Sequence, residues 1–187
     1  MLRRIKNDFT RTLTLTLTTL CLVTVVGTTN AQDKFPEVTA SDLQDKTIHF
    51  PIQFSEKPTL VAMVFSSKAQ DDLNTWLEPV YQQVLDKNGM GSLVYNCNIK
   101  LLIALTGAKK SVANKVTKEL KKATDKDYLP HVLIYEGDYK TLKEPLRIND
   151  KKEAYFFVIS KDGTIDAKAT GRYTSSKFER LSTHLER

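Results

Sequence analysis

The sequence predicts an α/β fold in which a mixed central sheet carries helices on both faces. Residues 60–65 form an almost continuous apolar run of strand length, which is typical of a central strand covered on both sides. The next segment has an apolar stripe with the spacing of an amphipathic helix, formed by Leu73, Leu77, Val80 and Val84. Strand and helix patterns then alternate and end in two strands joined at 161–163, where Lys-Asp-Gly indicates a hairpin.

The first predicted strand lies before this central strand. Ile48, Phe50 and Ile52 recur at every second position, with His49 and Gln53 nearby, which favours a half-buried strand. Pro51 has no main-chain N–H to donate, so we expect the strand to end there or to lie at the edge of the sheet. Residues 35–47 are expected to form only a short extended piece and a turn.

The later elements follow from the same kind of pattern. Residues 92–105 predict a strand with Tyr95, Cys97 and Ile99 on one face. The patterns that follow predict a helix with a lysine-rich outer side, a strand, a short helix or turn, and a closing helix capped by a serine. These are residues 109–126, 131–137, 139–150 and 175–187, with Ser175 or Ser176 as the cap.

The N-terminus predicts a cleavable secretory signal over residues 1–31. A basic start precedes an apolar run at 12–26, and Thr29 and Ala31 are small enough for the −3 and −1 positions of a cleavage site. The domain would then occupy residues 32–187, in the periplasm or outside the cell. Leu20 precedes Cys21 where a lipoprotein needs a small residue, so a lipid anchor is not favoured. A mitochondrial transit peptide is the alternative.

The charge of the remaining chain argues against nucleic-acid binding. Residues 1–31 contain four of the 28 basic residues and one of the 22 acidic ones, so 24 and 21 remain and the net charge is +3. This segment also contains Cys21, which leaves Cys97 as the only cysteine of the domain. An intramolecular disulfide is therefore excluded.

The order of elements resembles the thioredoxin-like superfamily, in particular its branch of peroxiredoxins and periplasmic thiol–disulfide oxidoreductases. Residues 41–50, SDLQDKTIHF, are similar to the opening turn and strand of that branch, with Asp45 in place of a glycine. Residues 155–181, which contain the motif ISKDGTI, are similar to its closing segment. The resemblance implies a thioredoxin-like fold over roughly residues 35–187.

A narrower resemblance concerns the thioredoxin-like family of mitochondrial ATP synthase assembly factors and its bacterial relatives. DDLNTWLEP, YLPHVLIYEG and LRINDKKEAYFFVISKDGTI are the segments that are similar to this family. The family lacks redox cysteines, and the resemblance implies that this chain binds a membrane subunit as an assembly chaperone.

The resemblance places the reactive site at the turn between the strand 60–65 and the following helix. Redox members have a cysteine there because the helix N-terminus stabilises the thiolate, whereas this chain has none around residues 69–73. The superfamily's cis-proline falls at Glu153 or Ala154, and Pro130 is a second place for one. The vacated turn is the predicted binding site, formed by Ser66, Ser67, Lys68, Gln70, Asp71, Asp72 and Trp76.

The sequence also predicts the structural surroundings of three of these residues. Asp71 and Asp72 are expected in the first helical turn, where carboxylates complement the helix dipole. Trp76 is either an exposed anchor for a partner or a core residue beside Leu73 and Val80. The core position is favoured because tryptophan is usually largely buried.

Other site types are less well supported. His49, His131 and His184 are too far apart in sequence to predict a metal site, and no glycine-rich phosphate loop indicates a nucleotide, so no cofactor is expected. A lysine-rich helix face favours a solvated surface over peripheral contact with acidic lipids. Its members are Lys109, Lys110, Lys115, Lys118, Lys121 and Lys122.

These observations predict an exported, non-redox thioredoxin-like protein that binds a protein or envelope component. The alternative is a thiol-dependent peroxidase or oxidoreductase that acts through Cys97. A thiol in the middle of a strand lacks a helix N-terminus to lower its pKa, which favours the non-catalytic interpretation.

Overall fold

The computed structural model describes residues 33–85 and 94–186. Its strands are β1 Val38–Asp42, β2 Thr47–Phe50, β3 Thr59–Val64, β4 Asn98–Ala104, β5 Val132–Tyr135, β6 Tyr155–Ile159 and β7 Ile165–Thr170. Its α-helices are α1 Ser67–Val80, α2 Ala113–Ala123, α3 Tyr139–Leu146 and α4 Ser175–Ser182. None of the described helices has the length and hydropathy of a membrane-spanning segment.

The predicted signal segment, residues 1–31 with Cys21, lies outside the described residues. The cleavage site after Ala31 therefore stays a prediction.

The seven strands form one mixed sheet in the order β2-β1-β5-β4-β3-β6-β7. The inner strands β3, β4 and β5 are parallel, and the pairs on either side of them are antiparallel. The predicted mixed sheet is confirmed, and β2 lies at its edge as Pro51 indicates. The cis peptide bond of the described chain is Phe50–Pro51, so Pro130 and Ala154 follow trans bonds.

The central strand β3 is buried on both sides because its alternate side chains enter two different cores. Val61 and Met63 pack in one core, and Leu60 and Val64 pack in the core on the opposite face. The nearly uninterrupted apolar run of this strand is the sequence signal of that position.

Helices cover both faces of the sheet, as predicted. Leu142 and Leu146 of α3 pack in the same core as Val61. On the other face α1 and α4 contribute to the core that contains Leu60, and α2 packs over β4 and β5 beside it. Because β3 and β4 are parallel, their carboxyl ends lie at the same end of the sheet, and α1 begins there, shortly after β3 ends.

Several predicted boundaries are wrong. Residues 38–42 form the strand β1, because they pair with both β2 and β5. The helix expected from residue 109 begins as a 3₁₀ turn, Gly107–Val112, before α2. Helix α4 is capped by Thr174, whose hydroxyl accepts from the Lys177 N–H, and not by Ser175 or Ser176. Helix α1 runs through Pro79 into a π-helical turn, Tyr81–Leu85.

Residues 185–186 contact residues 95–96 at the end of the sheet where β3 and β4 begin. Tyr95 and Glu186 form an isolated antiparallel bridge, and the Asn96 N–H donates to the Leu185 carbonyl at 3.4 Å. Leu181 and Leu185 are fully buried in the same core as Trp76. Leu181 and Leu185, close to the end of the described chain, are thus part of the hydrophobic core.

Candidate functional site

Ser66 occupies the turn between β3 and α1 and is the N-cap of that helix. Its backbone is extended, with φ −153° and ψ 162°, and its hydroxyl accepts from the Ala69 N–H at 3.2 Å. The same hydroxyl donates to the Lys151 carbonyl at 2.8 Å. Ser66 therefore holds the helix start against a distant loop, and its hydroxyl is already engaged within the chain.

The loop before β6 faces this turn, as the resemblance to thioredoxin-like proteins predicts. The Ala154 N–H donates to Asp72 Oδ2 at 3.4 Å, and the Ala154 carbonyl accepts from the Gly171 N–H at 2.8 Å. Ala154 itself is fully buried. The position expected for a cis-proline thus lies beside the start of α1, but it is occupied by an alanine whose preceding peptide bond is trans.

Four of the predicted binding residues are free for contact with a partner. Ser67, Lys68, Gln70 and Asp71 are exposed, and their side chains make no hydrogen bond or ion pair with another described residue. The structure places Asp71 in the second turn of α1 and not the first, because the helix begins at Ser67. These residues form a polar surface on the first two turns of α1.

Trp76 is not part of that surface. It is 1% exposed, and its ring stacks on Phe156 with centroids 4.0 Å apart. Its indole N–H donates to the Gly171 carbonyl at 2.9 Å. The interpretation of Trp76 as an exposed anchor is wrong, and the core position is correct.

Two other basic side chains near the turn, Lys109 and Lys151, contact groups of their own chain, unlike Lys68. Lys109 Nζ donates to the Phe65 carbonyl at 2.6 Å, and Lys151 Nζ lies 3.6 Å from the centre of the Tyr139 ring. With no thiol at the helix start, the turn has no group that could form a stabilised thiolate. Its chemistry is limited to hydrogen bonds and charge contacts from the exposed residues of α1.

The fold is shared with solved structures of low sequence identity. The exposed lipoprotein thioredoxin Etrx1 of Streptococcus pneumoniae matches with a TM-score of 0.53 at 11% identity, over 79% of this chain and 98% of that one. BsSco, a member of the Sco family of cytochrome c oxidase assembly proteins, matches with 0.54 at 8%, over 82% and 92%. The chain has a thioredoxin-like fold.

A DsbF homologue from Corynebacterium diphtheriae agrees with this assignment, with a TM-score of 0.53 at 10% identity over 82% of this chain and 87% of that one. No family profile and no curated protein matches the sequence. At these identities the likeness establishes the fold and not an activity. The narrower likeness to ATP synthase assembly factors stays a prediction.

Cys97 lies far from the position of a thioredoxin-like reactive thiol. It precedes β4, whose first residue Asn98 pairs with Thr59 at the start of β3. Ser66 follows the other end of β3, so about 25 Å of sheet separates the two residues, at about 3.3 Å per residue. Cys97 is outside the strand proper, and not in its middle as predicted.

The environment of Cys97 disfavours its thiolate. Its side chain packs against the core that contains Leu60 and Leu185. Burial raises the pKa of the Cys97 thiol to about 11, and the nearby charge of Lys57 offsets only part of that effect. Since the thiolate is the reactive form, Cys97 is a poor nucleophile at neutral pH.

The histidines do not converge, since no group of three potential metal ligands occurs in the described part of the chain. His131 is instead tied to the sheet, with Nδ1 2.9 Å from the Ile99 carbonyl.

The charge of the lysine-rich face of α2 is partly neutralised, because Lys121 pairs with Asp45 at 2.7 Å and Lys115 lies 4.0 Å from Glu119.

The sequence analysis missed an apolar groove on the sheet face that α1 and α2 share. The groove has a volume of about 480 Å³, and its floor is formed by Leu60, Ala62, Ile99 and Leu101. Leu77 is on its wall and 54% exposed, although the helical stripe predicted a buried position. Periodicity identified the correct face of the helix but not the gap beneath its C-terminal half.

Proposed function

We propose that this chain is an exported, non-redox thioredoxin-like protein that binds a protein partner. The observation that carries the proposal is the occupied turn at the start of α1. Ser66 caps the helix and bonds the Lys151 carbonyl at the place where a redox member needs a thiolate. A helix start without a thiol can present polar groups to a partner but cannot exchange disulfides.

Export is supported by the sequence of residues 1–31 and by the kinds of protein that share the fold. One of the structural neighbours is described as an exposed lipoprotein thioredoxin. A place outside the cytoplasm is therefore consistent with the fold, and a mitochondrial location is the alternative for the same basic, threonine-rich start.

A turnover assay tests the non-redox role. The purified protein and its Cys97→Ser variant are compared in insulin reduction with dithiothreitol and in peroxide consumption. We expect both proteins to match the blank without enzyme, because the helix start carries no thiol. Turnover by the native protein that the Cys97→Ser variant lacks would defeat the proposal.

The second candidate is a thiol enzyme that uses Cys97, and its support is the partial accessibility of that side chain. With a pKa of about 11, about one thiol in ten thousand is ionised at pH 7. We expect alkylation by iodoacetamide to be slow at pH 7 and to rise about tenfold per pH unit up to pH 10. Fast alkylation at pH 7, with a plateau below pH 9, would favour the enzyme.

A further inference from the structure

The rim of the apolar groove exposes large apolar side chains. Leu77 of α1 and Tyr81 of the π-helical turn that follows it have 54% and 44% of their surface accessible, and Tyr128 faces them with 39%. Half of the exposed large apolar side chains in the described part of the chain are on this rim. Such a cluster around a concavity is typical of a binding surface.

Below this rim the groove extends inward to the side chains of the sheet. Between α1 and the turn Lys126–His131 no other described element covers the side chains of β3 and β4, so Ala62, Ile99 and Leu101 are only half-buried. Its volume lies within the range of about 300–1,000 Å³ that is usual for ligand clefts. Several apolar side chains of a partner could enter it.

The charged groups at the groove give its opening a negative character. Glu78 and Asp125 line it, and neither forms an ion pair with another described residue. Neither of the two basic residues in the lining presents a free cation at the opening. The Lys100 ammonium lies on the opposite face of the sheet, 4.3 Å from the centre of the Phe54 ring, and His131 Nδ1 lies 2.9 Å from the Ile99 carbonyl.

We propose that the apolar groove binds an amphipathic helix of a protein partner in which lysine or arginine flanks the apolar stripe. An apolar helix face in an apolar groove is a common mode of peptide recognition, and basic flanks complement Glu78 and Asp125. This inference rests on the proposed binding role and assigns it to the groove, away from the polar surface of Ser67, Lys68, Gln70 and Asp71.

Two designed peptides test the charge preference. Both have 18 residues with leucine at helical spacing, and the polar positions are lysine in one and glutamate in the other. Each is titrated into the purified protein by calorimetry, and the emission of Trp76, the only tryptophan of the chain and part of the groove wall, is followed. We expect the lysine peptide to bind at least tenfold more tightly and to shift that emission.

The net charge of the domain makes this comparison informative. The domain carries about three more positive than negative charges, so long-range attraction favours the glutamate peptide. A preference for the lysine peptide therefore reports the local acidic rim. Equal binding of the two peptides, or a preference for glutamate, would overturn the inference.

A matched pair of surface variants locates the peptide. Leu77 and Ile52 are 54% and 55% exposed, but only Leu77 lines the groove. We expect Leu77→Gln to weaken lysine-peptide binding about tenfold, which corresponds to about 1.4 kcal/mol, and Ile52→Gln to leave it unchanged. Equal effects of the two substitutions would overturn the assignment to the groove.

Other occupants give different results. A dimer in sedimentation that Leu77→Gln dissociates would assign the groove to a second copy of the chain. An apolar small molecule retained in native mass spectrometry would assign it to that class of ligand. Absence of peptide binding with no change in Trp76 emission would indicate that the chain fills its own groove. Each of these results would overturn the inference.

The peptide titration and the turnover assay fail independently. Peptide binding by a protein that also reduces insulin would leave the groove assignment intact and remove the non-redox role. Absence of both binding and turnover would remove the groove assignment alone.

Discussion

The hydroxyl of Ser66 fixes the start of α1 through two hydrogen bonds. It accepts one hydrogen bond from the start of α1 and donates another to the loop before β6, so it joins two segments that are 85 residues apart. The role of Ser66 is structural, whereas its neighbours Ser67 and Lys68 are exposed.

We expect Ser66→Ala to lower the free energy of unfolding by about 1–2 kcal/mol, because it removes the N-cap and leaves the Lys151 carbonyl without its donor. Ser67→Ala is the matched control. Ser67 is exposed and its hydroxyl has no partner among the described residues, so its change should stay within about 0.5 kcal/mol. Urea unfolding followed by circular dichroism measures both, and equal losses would contradict the role of Ser66.

At the scale of single residues, the sequence predicted which face of its helix a side chain lies on better than it predicted the burial of that side chain. It favoured a buried Trp76, but the contacts that bury this residue come from Phe156 and Gly171, which are distant in sequence. Leu77 belongs to the same helical stripe and is exposed, because none of the elements that the structure describes covers the sheet beneath it. Periodicity gives the direction of a side chain and not what lies opposite it.

The N-terminus of α1 is an element that should still favour a thiolate. The helix has 14 residues, and Ser67 is its first one. In a Cys97→Ser background we expect Ser67→Cys to give a thiol with a pKa below about 8.5, because the helix dipole stabilises the anion.

The measurement is iodoacetamide alkylation across pH 6–11, with native Cys97 as the comparison. At pH 7 the thiolate fraction of the variant should exceed that of Cys97 more than a hundredfold, given the pKa of about 11 for the latter. Equal rates would show that this helix start lacks the electrostatic character that the thioredoxin-like fold implies.

The β6–β7 hairpin carries an acid-sensitive element at Asp162. The Ser160 hydroxyl donates to its carboxylate at 2.7 Å, and Thr164 donates through both its N–H and its hydroxyl. These hydrogen bonds, chiefly that from Ser160, lower the pKa of Asp162 to about 2 from its ordinary 3.8. The stabilisation is complete above pH 4 and is lost as the pH falls to about 2.

We expect Asp162→Asn to flatten the decrease in stability between pH 4 and pH 2, since the amide cannot titrate. Unfolding curves at half-unit pH steps measure this effect, and Asp166→Asn on the neighbouring strand β7 is the control. An unchanged slope in Asp162→Asn, or an equal change in the control, would contradict the assignment.

At the scale of elements, the hairpin and the β3–α1 unit were predicted because their signals are local. Lys-Asp-Gly at the turn predicts the hairpin, where Gly163 has φ +86°. Strand β1 was missed because its pairing with β5 depends on residues more than 90 positions away. Its own sequence, Val-Thr-Ala-Ser-Asp, has only weak strand character.

The molecule as a whole has the thioredoxin-like fold that the order of elements predicted. The predicted mixed sheet and the helices on both of its faces are confirmed. They could be predicted because the alternation of strands and helices along the chain constrains the topology, with or without reactive cysteines. The groove could not be predicted, because it depends on how far α1 and the turn Lys126–His131 stand apart across the sheet.

We expect the exported form to begin at Gln32. Expression with the native start in a secreting bacterial host, followed by mass spectrometry of the periplasmic fraction, measures the cleavage site. Ala31→Lys should block processing, because the −1 position needs a small residue. A lipid-modified protein that begins at Cys21, or an unprocessed protein in the cytosol, would contradict the prediction.

The bridge between Tyr95 and Glu186 has a consequence for the order in which the chain can mature. Phe178, Leu181 and Leu185 fill the core around Trp76, so that core has an apolar opening until they arrive. Synthesis from the N-terminus delivers these three residues after the other described residues of this core. We therefore expect the packing around Trp76 to be completed only once residues 178–185 have been made.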